Sequence, residues 1–592
     1  MRYFFSILIS LSTAFLFAQT GRISGKVLNA ANGQPLANAS VTLIEKSRTV
    51  VADQNGIFVV GKIAAGTYSV KCSYIGFKEK IVEEIVVKDG ENTVISISLN
   101  EKTGKADEVV IVAKTRAKIE TTAALLIAQK NNASVSDGIS ADAIKKTPDR
   151  NTGDVIKRVS GASIQDDRFA IIRGLNDRYN AAFINGAPLP SSESDRKAFA
   201  FDIFPSAILD NLVIHKTATP DRIGDFAGGI IDITTLSVSP KNFTTVTVGG
   251  AYNTLATGND RFFSETKGSS DFIGLDDGTR SLPNALPSTI RDLPPTEKSE
   301  LAKLFGDYKW GVNKANASPN FNFQIANGYN FRIKDKDFLS TVFAITYNKN
   351  FTFNYGDRNT YDFDANPGAQ LYQRAKYTDS VYNNETVMAL LGNISIKINN
   401  RNSISWKNNL SINTDNKLIK RVGEADADGD PGFLNRDVVR WFTSNQIFTS
   451  QLSGDHLIGE RKTRINWLAS FGGIKREIPN LSRTSYIGSV DNFTAFFPGG
   501  EPNQLLGSGT MVFINSNENI KSFKADVTQP YQLFKSKQHL MKAGAGYQFR
   551  DRAFNTRLLA LQPNNFAGFD FSLTSLPENQ IFLPQNLGTS TP

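Results

Sequence analysis

The stretch that decides the fold runs from Thr147 to Thr235. It holds Asp154-Val155-Ile156-Lys157-Arg158-Val159-Ser160-Gly161-Ala162, then Ile171-Ile172-Arg173-Gly174-Leu175, then Phe183-Ile184-Asn185-Gly186-Ala187-Pro188. Leu212-Val213-Ile214-His215-Lys216 follows, and Phe226-Ala227-Gly228-Gly229-Ile230-Ile231-Asp232-Ile233-Thr234-Thr235 closes it. Pro148 and Asp149 are expected to open a short helix with Val155, Ile156 and Val159 on one side, and Gly161 stops it. Asn185-Gly186 between apolar runs signals a tight turn, because both residues tolerate positive φ. Read alone, this is a small, glycine-rich mixed α+β unit, and its meaning depends on what flanks it.

Upstream, Met1-Arg2 and the apolar run Tyr3 to Phe17 end at Ala18-Gln19. The run is too short to span a bilayer as a helix, and the small residue at its end suits cleavage, so residues 1–18 read as a signal peptide. The 592 residues exceed one ordinary domain, and 40% hydrophobic content is enough for packed cores. The 66 basic and 57 acidic residues are scattered, without the basic block of a nucleic-acid arm. Cys72 is the only cysteine, so an exported chain of this kind has no internal disulfide and is held by sheets. No other segment has ~18 continuous apolar residues, which leaves a soluble exported protein or a membrane barrel.

Residues 19–101 alternate as short strands at Ile23–Val27, Val41–Leu43, Tyr68–Tyr74 and Val94–Leu99. Turn signals at Asn32-Gly33, Asn55-Gly56, Ala65-Gly66 and Asp89-Gly90 separate them, as in a β-sandwich. Cys72 shares a strand face with Tyr68 and Tyr74 and is expected to be buried and inert. Gly25, Val27, Gln34-Pro35-Leu36, Ala39, Val41, Asp53, Gly56-Ile57-Phe58, Gly66, Tyr68 and Gly76-Phe77 make this stretch resemble the carboxypeptidase regulatory-like domain. The resemblance is to a non-catalytic sandwich, and residues 21–100 contain no histidine with which to build a zinc site.

Residues 102–146 read as a polar linker containing Asp107-Glu108-Val109-Val110-Ile111-Val112-Ala113. An acidic pair before a β-branched run can add as a strand to the edge of a partner's sheet; an ordinary edge strand of the sandwich is the alternative. In this position the sequence resembles a TonB box, which implies the inner-membrane energy transducer TonB as partner. A short helix is expected from Ser140, with its hydroxyl as cap.

From Thr147 the chain resembles the plug domain of TonB-dependent receptors. Gly161, Ile172-Arg173-Gly174, Asn185-Gly186 and Gly228-Gly229 through Thr235 stand in the family's order over residues 147–236. The resemblance implies a plug inside a barrel. The glycines are expected to let its backbone approach the wall, and Arg173, in an apolar strand, to pair with acidic side chains of the barrel interior.

Residues 237–592 supply the wall. In Ser403–Ile412 the residues Ile404, Trp406, Leu410 and Ile412 share one face, with serines, Lys407 and Asn409 on the other. Thr341–Tyr347, Arg464–Phe471 and Met541–Phe549 behave likewise, which is the signature of a transmembrane β-barrel, with Trp406, Trp467, Tyr347 and Tyr547 suited to girdles against outer-membrane lipid; a secreted array of β-sandwiches fits the alternation nearly as well. The polar stretches Gly258–Pro319, Thr352–Glu385 and Val422–Val438 read as extracellular loops, and the acidic run Glu424–Asp430 as solvated. Only roughly 350 residues follow the plug, short of the ~22 strands of a plugged barrel, so the chain reads as a fragment of a longer one.

The fold class expected is therefore mainly β: a sandwich, a small α+β plug, then an antiparallel barrel. His215, His456 and His539 lie in different elements, and Gly21–Val27 falls one residue short of a P-loop, so no catalytic, cofactor or metal site is read. The function implied is active import of an extracellular nutrient: a small molecule, metal chelate or glycan. A surface-displayed adhesin or scaffold is the rival.

Overall fold

The computed structural model describes residues 21–100, 122–236, 242–363, 371–425, 434–497, 507–563 and 569–588, apart from 31, 47, 78, 131, 266–267, 334–335, 400, 490 and 535–536. The signal-peptide and TonB-box readings, 1–18 and 107–113, lie outside the described residues. The chain divides into two compact units, Met1–Ala117 and Lys118–Pro592.

In the first unit, strands β1 (Gly21–Asn29), β2 (Ser40–Leu43), β3 (Arg48–Val51), β4 (Ile57–Ile63), β5 (Gly66–Ser73), β6 (Lys80–Val87) and β7 (Asn92–Leu99) form two sheets, ordered β4-β1-β7 and β3-β2-β5-β6. Alternate residues from both sheets make one core, including Ile23, Val27, Val41, Phe58, Val60, Val70, Cys72, Ile97 and Leu99. Period-two alternation in the sequence is what puts these side chains on the inner faces.

The second unit begins with helix α1 (Thr122–Lys130). A five-stranded sheet follows, ordered β12-β11-β14-β13-β8, from β8 (Ser136–Ser140), β11 (Ala181–Ile184), β12 (Ala187–Pro188), β13 (Leu209–His215) and β14 (Ile230–Thr235). A side hairpin pairs β9 (Ala162–Gln165) with β10 (Phe169–Ile172); the short helix α2 (Ala141–Ile144) lies against β8 and β13, and α3 (Thr152–Ile156) against the hairpin. Val155, Ile156, Ile172, Phe204, Leu212, Ile214, Ile231 and Ile233 fill its core.

Several local expectations change here. Residues 136–140, read as linker, supply an edge strand paired antiparallel with β13 from Asn211 to His215. Ser140 precedes α2, but its hydroxyl does not cap it; it lies 3.2 Å from the Thr122 hydroxyl. Helix α3 begins at Thr152, not at Pro148, and Asn151 is its cap, accepting from the Asp154 N–H at 3.0 Å. Asp149 instead accepts two bonds from Arg158 at 2.6 and 2.7 Å.

The wall is one antiparallel sheet. Its path runs β15 (Phe243–Ala251), β18 (Asn320–Ile333), β19 (Lys336–Phe363), β20 (Leu371–Asn399), β21 (Asn402–Ala425), β22 (Leu434–Ile458), β23 (Thr463–Ser489), β25 (Thr510–Phe534) and β26 (Lys537–Ala560), with β24 (Asn492–Ala495) pairing β23. The segment between β15 and β18 holds the two-residue strands β16 (Phe263–Ser264) and β17 (Asn313–Lys314) and helix α4 (Pro295–Ala302). Two of the three expected loops are thereby corrected. Most of Thr352–Glu385, and both ends of Val422–Val438, are strand, because cross-strand pairing continues through their polar residues, with one register shift at Thr360/Tyr361.

Strand β20 has 29 residues, whereas crossing a bilayer takes ~9–11. The apolar outward band, with Phe343, Ile394, Trp406, Phe448, Phe523 and Tyr547 exposed, occupies the part nearest the short turns. Farther along, the same outward face is covered by the β15–β18 segment. Phe262 packs there with Phe351, Tyr382, Leu418 and Val438, and the Gly274 carbonyl accepts from Thr414 and Ser444. This part of the wall's outward face is thus covered by protein.

Burial pushes the Cys72 thiol up to about 11. The reactive thiolate is accordingly scarce at neutral pH. In the full-length protein, iodoacetamide at pH 8 should leave Cys72 unmodified until urea unfolds the sandwich, after which mass spectrometry should find it fully alkylated.

Candidate functional site at the plug and its wall

The glycine-rich motifs meet at one corner of the plug. Arg173 and Gly174 have φ of 54° and 75° and form a tight turn closed by Ile172 and Leu175, which bond to each other at 3.3 and 3.0 Å. A left-handed arginine is unfavourable by itself and is held here by its side chain. Nε donates to the Gly228 carbonyl at 3.1 Å and Nη2 to the Ala227 carbonyl at 2.6 Å. Arg173 is therefore in a turn, not a strand, and its partners are plug carbonyls, not barrel carboxylates.

The glycine pair is corrected in the same way. A Cβ on Gly228 would lie 2.0 Å from Asn180 Oδ1, and one on Gly229 would lie 3.1 Å from Ile172 Cγ2. Both glycines are required by close approach within the plug, not by approach to the wall. Asn185 and Gly186 have φ of 51° and 83° and form the β11–β12 turn. Asn185 Oδ1 also accepts from the Thr235 N–H at 3.1 Å, and Asp232 accepts from the Gly186 N–H at 3.2 Å. Gly161, with φ of 69°, lies in the turn after α3 and accepts from the Arg173 N–H at 3.0 Å.

Edge strand β8 is held differently from the rest. It contributes only Ile139 to the plug core; its other residues are Ser136, Asp137, Gly138 and Ser140. A polar clip secures its entry. Lys216 Nζ lies 2.5 Å from Asp137 and donates to the Ser160 carbonyl at 2.8 Å, while the Lys216 N–H donates to Val135 at 2.8 Å. Ser134 reaches His215 Nδ1 at 3.1 Å, and Thr217 accepts from the Val135 N–H at 2.9 Å.

The wall grips the plug through neutral and charged side chains alike, and its neutral donors reach backbone carbonyls. Ser411 donates to Ile203 at 2.5 Å, Asn413 to Asp202 at 3.1 Å, Gln451 to Ile184 at 2.8 Å, Gln324 to Ala207 at 2.9 Å and Asn393 to Leu236 at 2.7 Å. Each is worth about 1 kcal/mol net, so the contact is specific yet divisible.

A cluster of charges lies near the middle of the long strands. Arg168 bridges Asp202, at 3.0 Å, and the wall's Asp415. Glu193 accepts from Arg476 at 2.8 Å, and Arg552 donates to its carbonyl. Glu518 accepts from the Ser191 N–H at 3.2 Å. Burial raises the Glu193 and Asp202 carboxyls above their usual range against the pull of neighbouring arginines. None of these residues was singled out from the sequence. The one available signal was parity, because Ser411, Asn413 and Asp415 lie on the same strand face.

Among the described residues no group of histidine, cysteine, aspartate or glutamate is arranged to hold a metal, and no helix is long and apolar enough to cross a membrane, which says nothing of a barrel.

Comparison with known proteins agrees with this architecture. Residues 22–100 match the carboxypeptidase regulatory-like domain and residues 128–230 the TonB-dependent receptor plug domain. The chain thus carries a carboxypeptidase regulatory-like domain and a TonB-dependent receptor plug domain, the latter followed by a long antiparallel sheet. The plug match begins before β8, as the sheet topology requires. No curated protein matches the sequence.

Among solved structures, the chain is similar to FpvA of P. aeruginosa bound to heterologous pyoverdines, at 10% identity over 73% of this chain and 53% of that one, with TM-score 0.35. It is also similar to BauA, the ferric preacinetobactin receptor of Acinetobacter baumannii, at 8% identity over 72% and 60%, with TM-score 0.31. The outer membrane transporter YddB of Escherichia coli stands at 12% identity over 72% and 54%, with TM-score 0.27. The chain spans about half to three-fifths of these structures. At such low similarity, the ligands named for them say nothing about this protein.

Asp221 links the plug to β26. Although burial opposes it, hydrogen bonds from Lys542, at 2.8 Å, and Thr219, at 2.6 Å, hold its carboxyl well below the usual range. A depressed carboxylate stabilises the folded state above its unfolded pKa of ~4 and loses that contribution as pH falls. Limited proteolysis of the plug should accelerate below about pH 4, and Asp221→Asn should flatten that acid limb while leaving the neutral rate slightly raised.

Proposed function

We propose that this protein is an outer-membrane receptor that imports an extracellular nutrient, with Asp107–Ala113 as the peptide captured by TonB. The observation that carries the reading is a plug-family domain whose polar surface is hydrogen-bonded to one face of a long antiparallel sheet, while the opposite face carries an apolar band. In this reading the captured peptide is pulled from the periplasm, and the chain downstream of it is α1 and then β8. Because β8 is an edge strand with one core residue, it can leave β13 without dismantling the core of Val155, Phe204, Leu212 and Ile231. The Lys216–Asp137 clip sets the resistance. The plug's neutral and ionic contacts with the wall then part in succession.

The rival, a displayed adhesin or scaffold, needs no such detachable edge. Deleting residues 107–113 should abolish energised uptake while leaving cargo binding unchanged. Joining Ser136 to His215, paired across β8 and β13, by a disulfide (Ser136→Cys with His215→Cys in a Cys72→Ala background) should block uptake reversibly, restored by reductant. Uptake indifferent to the deletion sinks the importer reading. Uptake lost on deletion but indifferent to the cross-link retires only β8 as the moving part.

A further inference from the structure

Residues 258–319 read from the sequence as an extracellular loop, yet one turn of them is fastened to the outward face of the wall. Lys349, Thr386, Thr414, Ser444 and Glu477 stand directly opposite one another across β19 to β23. Strand alternation puts this row outward, because Ser411, Asn413 and Asp415, of the other parity on β21, meet the plug. The next outward row toward the short turns is Tyr347, Met388, Ile412 and Gln446. From Ile404 to Thr414 the strand rises ~34 Å. At a tilt of ~40° that is about 26 Å along the membrane normal, against ~25 Å for the apolar band of an outer-membrane barrel. The polar row therefore lies at the band's upper edge, on the outer-leaflet side.

The turn Asp271–Gly274 sits on that row. The Gly274 carbonyl accepts from Thr414 at 2.5 Å and from Ser444 at 2.9 Å, and the Tyr347 hydroxyl donates to the Phe272 carbonyl at 2.9 Å. Asp271 accepts from Arg280 at 2.9 and 2.7 Å, and that guanidinium lies 4.4 Å from the ring centroid of Phe442 on the wall. Gly274 has φ of 81°, and a Cβ there would lie 2.7 Å from Thr414 Oγ1, so the seat requires glycine. Beneath the turn Thr386, Thr414 and Ser444 are buried. On its far side Phe272 is 63% exposed, although the backbone that carries it is pinned at three points.

We propose that Phe272 enters the hydrocarbon of the outer leaflet, so that this turn is a membrane-seated patch on the wall and not a free loop. The inference rests on the membrane-wall reading above. At this level the strands themselves present hydroxyls and charges, which hydrocarbon cannot satisfy. The turn satisfies two of those hydroxyls with its own carbonyl and offers a benzyl group in their place. The ring thereby extends the apolar band upward across β20 to β22, where no strand residue does so. Asp271 and Arg280 are buried against the wall, so their charges do not accompany the ring into lipid. Burial of the ring is favourable, and because the turn is already ordered, insertion costs little conformational freedom.

The test puts nitroxide labels on the full-length protein, in a Cys72→Ala background, reconstituted in vesicles of phosphatidylethanolamine and phosphatidylglycerol. Phe272→Cys is read against Phe523→Cys in the apolar band and Asn284→Cys on the same segment; all three positions are exposed, so labelling leaves the packed core untouched. Collisions with dissolved oxygen and with a water-soluble nickel chelate are measured at each. The label at 272 should show the high oxygen-to-nickel ratio of the label at 523, well above that at 284. A ratio at 272 equal to that at 284 overturns the proposal. So does a label at 272 shielded from both reagents, because protein would then cover the ring. If the label at 523 is itself open to the nickel chelate, the membrane-wall reading falls and this inference with it. Lipid at 523 with water at 272 retires only the seat of the turn.

Discussion

The structure depends on neutral side chains of the wall donating hydrogen bonds to carbonyls of the plug backbone. Ser411, Asn413, Gln451, Gln324 and Asn393 each do so from separate places on four strands. A domain enclosed by strands must satisfy its polar backbone, because an unmatched buried carbonyl costs more than a made bond returns. Salt bridges alone would satisfy it too rigidly, since removing one partner of a buried pair leaves an uncompensated charge. Amide and hydroxyl donors give specificity without that penalty, and ionic contacts are added around Arg168 and Glu193 and again where Lys542 meets Asp221.

Much of the fold was legible because strand alternation is a one-dimensional signal. Ile404, Trp406 and Leu410 pointing away from Ser411 and Asn413 could be read directly, as could the Asn185-Gly186 turn and the inward Cys72. What alternation cannot show is which residues meet across distance. Arg173 reads as a strand charge because its neighbours are apolar, yet the chain turns there, and its partners lie over fifty positions away. Residues 136–140 are too polar to look like a strand, since an edge position next to a fully buried strand asks for only one apolar side chain. The loops predicted at 352–385 and 422–438 failed for a related reason. Polar residues continue a strand readily once neither of its faces meets lipid.

The plug also divides its own stability unevenly. Helix α3, β10 and β13 share a buried apolar core, whereas β8 is attached by a backbone ladder and a polar clip. Local opening takes place where few apolar contacts are lost, so the least costly distortion of this domain is already defined by where its hydrophobic residues stop.

The parallel pairing of β11 with β14 has a consequence for biogenesis. Ala181–Ile184 stays without its neighbour until Ile230–Ile233 arrives, and the first wall strand starts at Phe243. Contacts so distant in sequence form slowly, because chain closure must precede any gain. The domain thus cannot mature while its own last strand is still emerging, and when that strand arrives the wall is only a few residues behind. Closure of the plug sheet therefore waits on its own last strand, which lies directly before the wall in the chain.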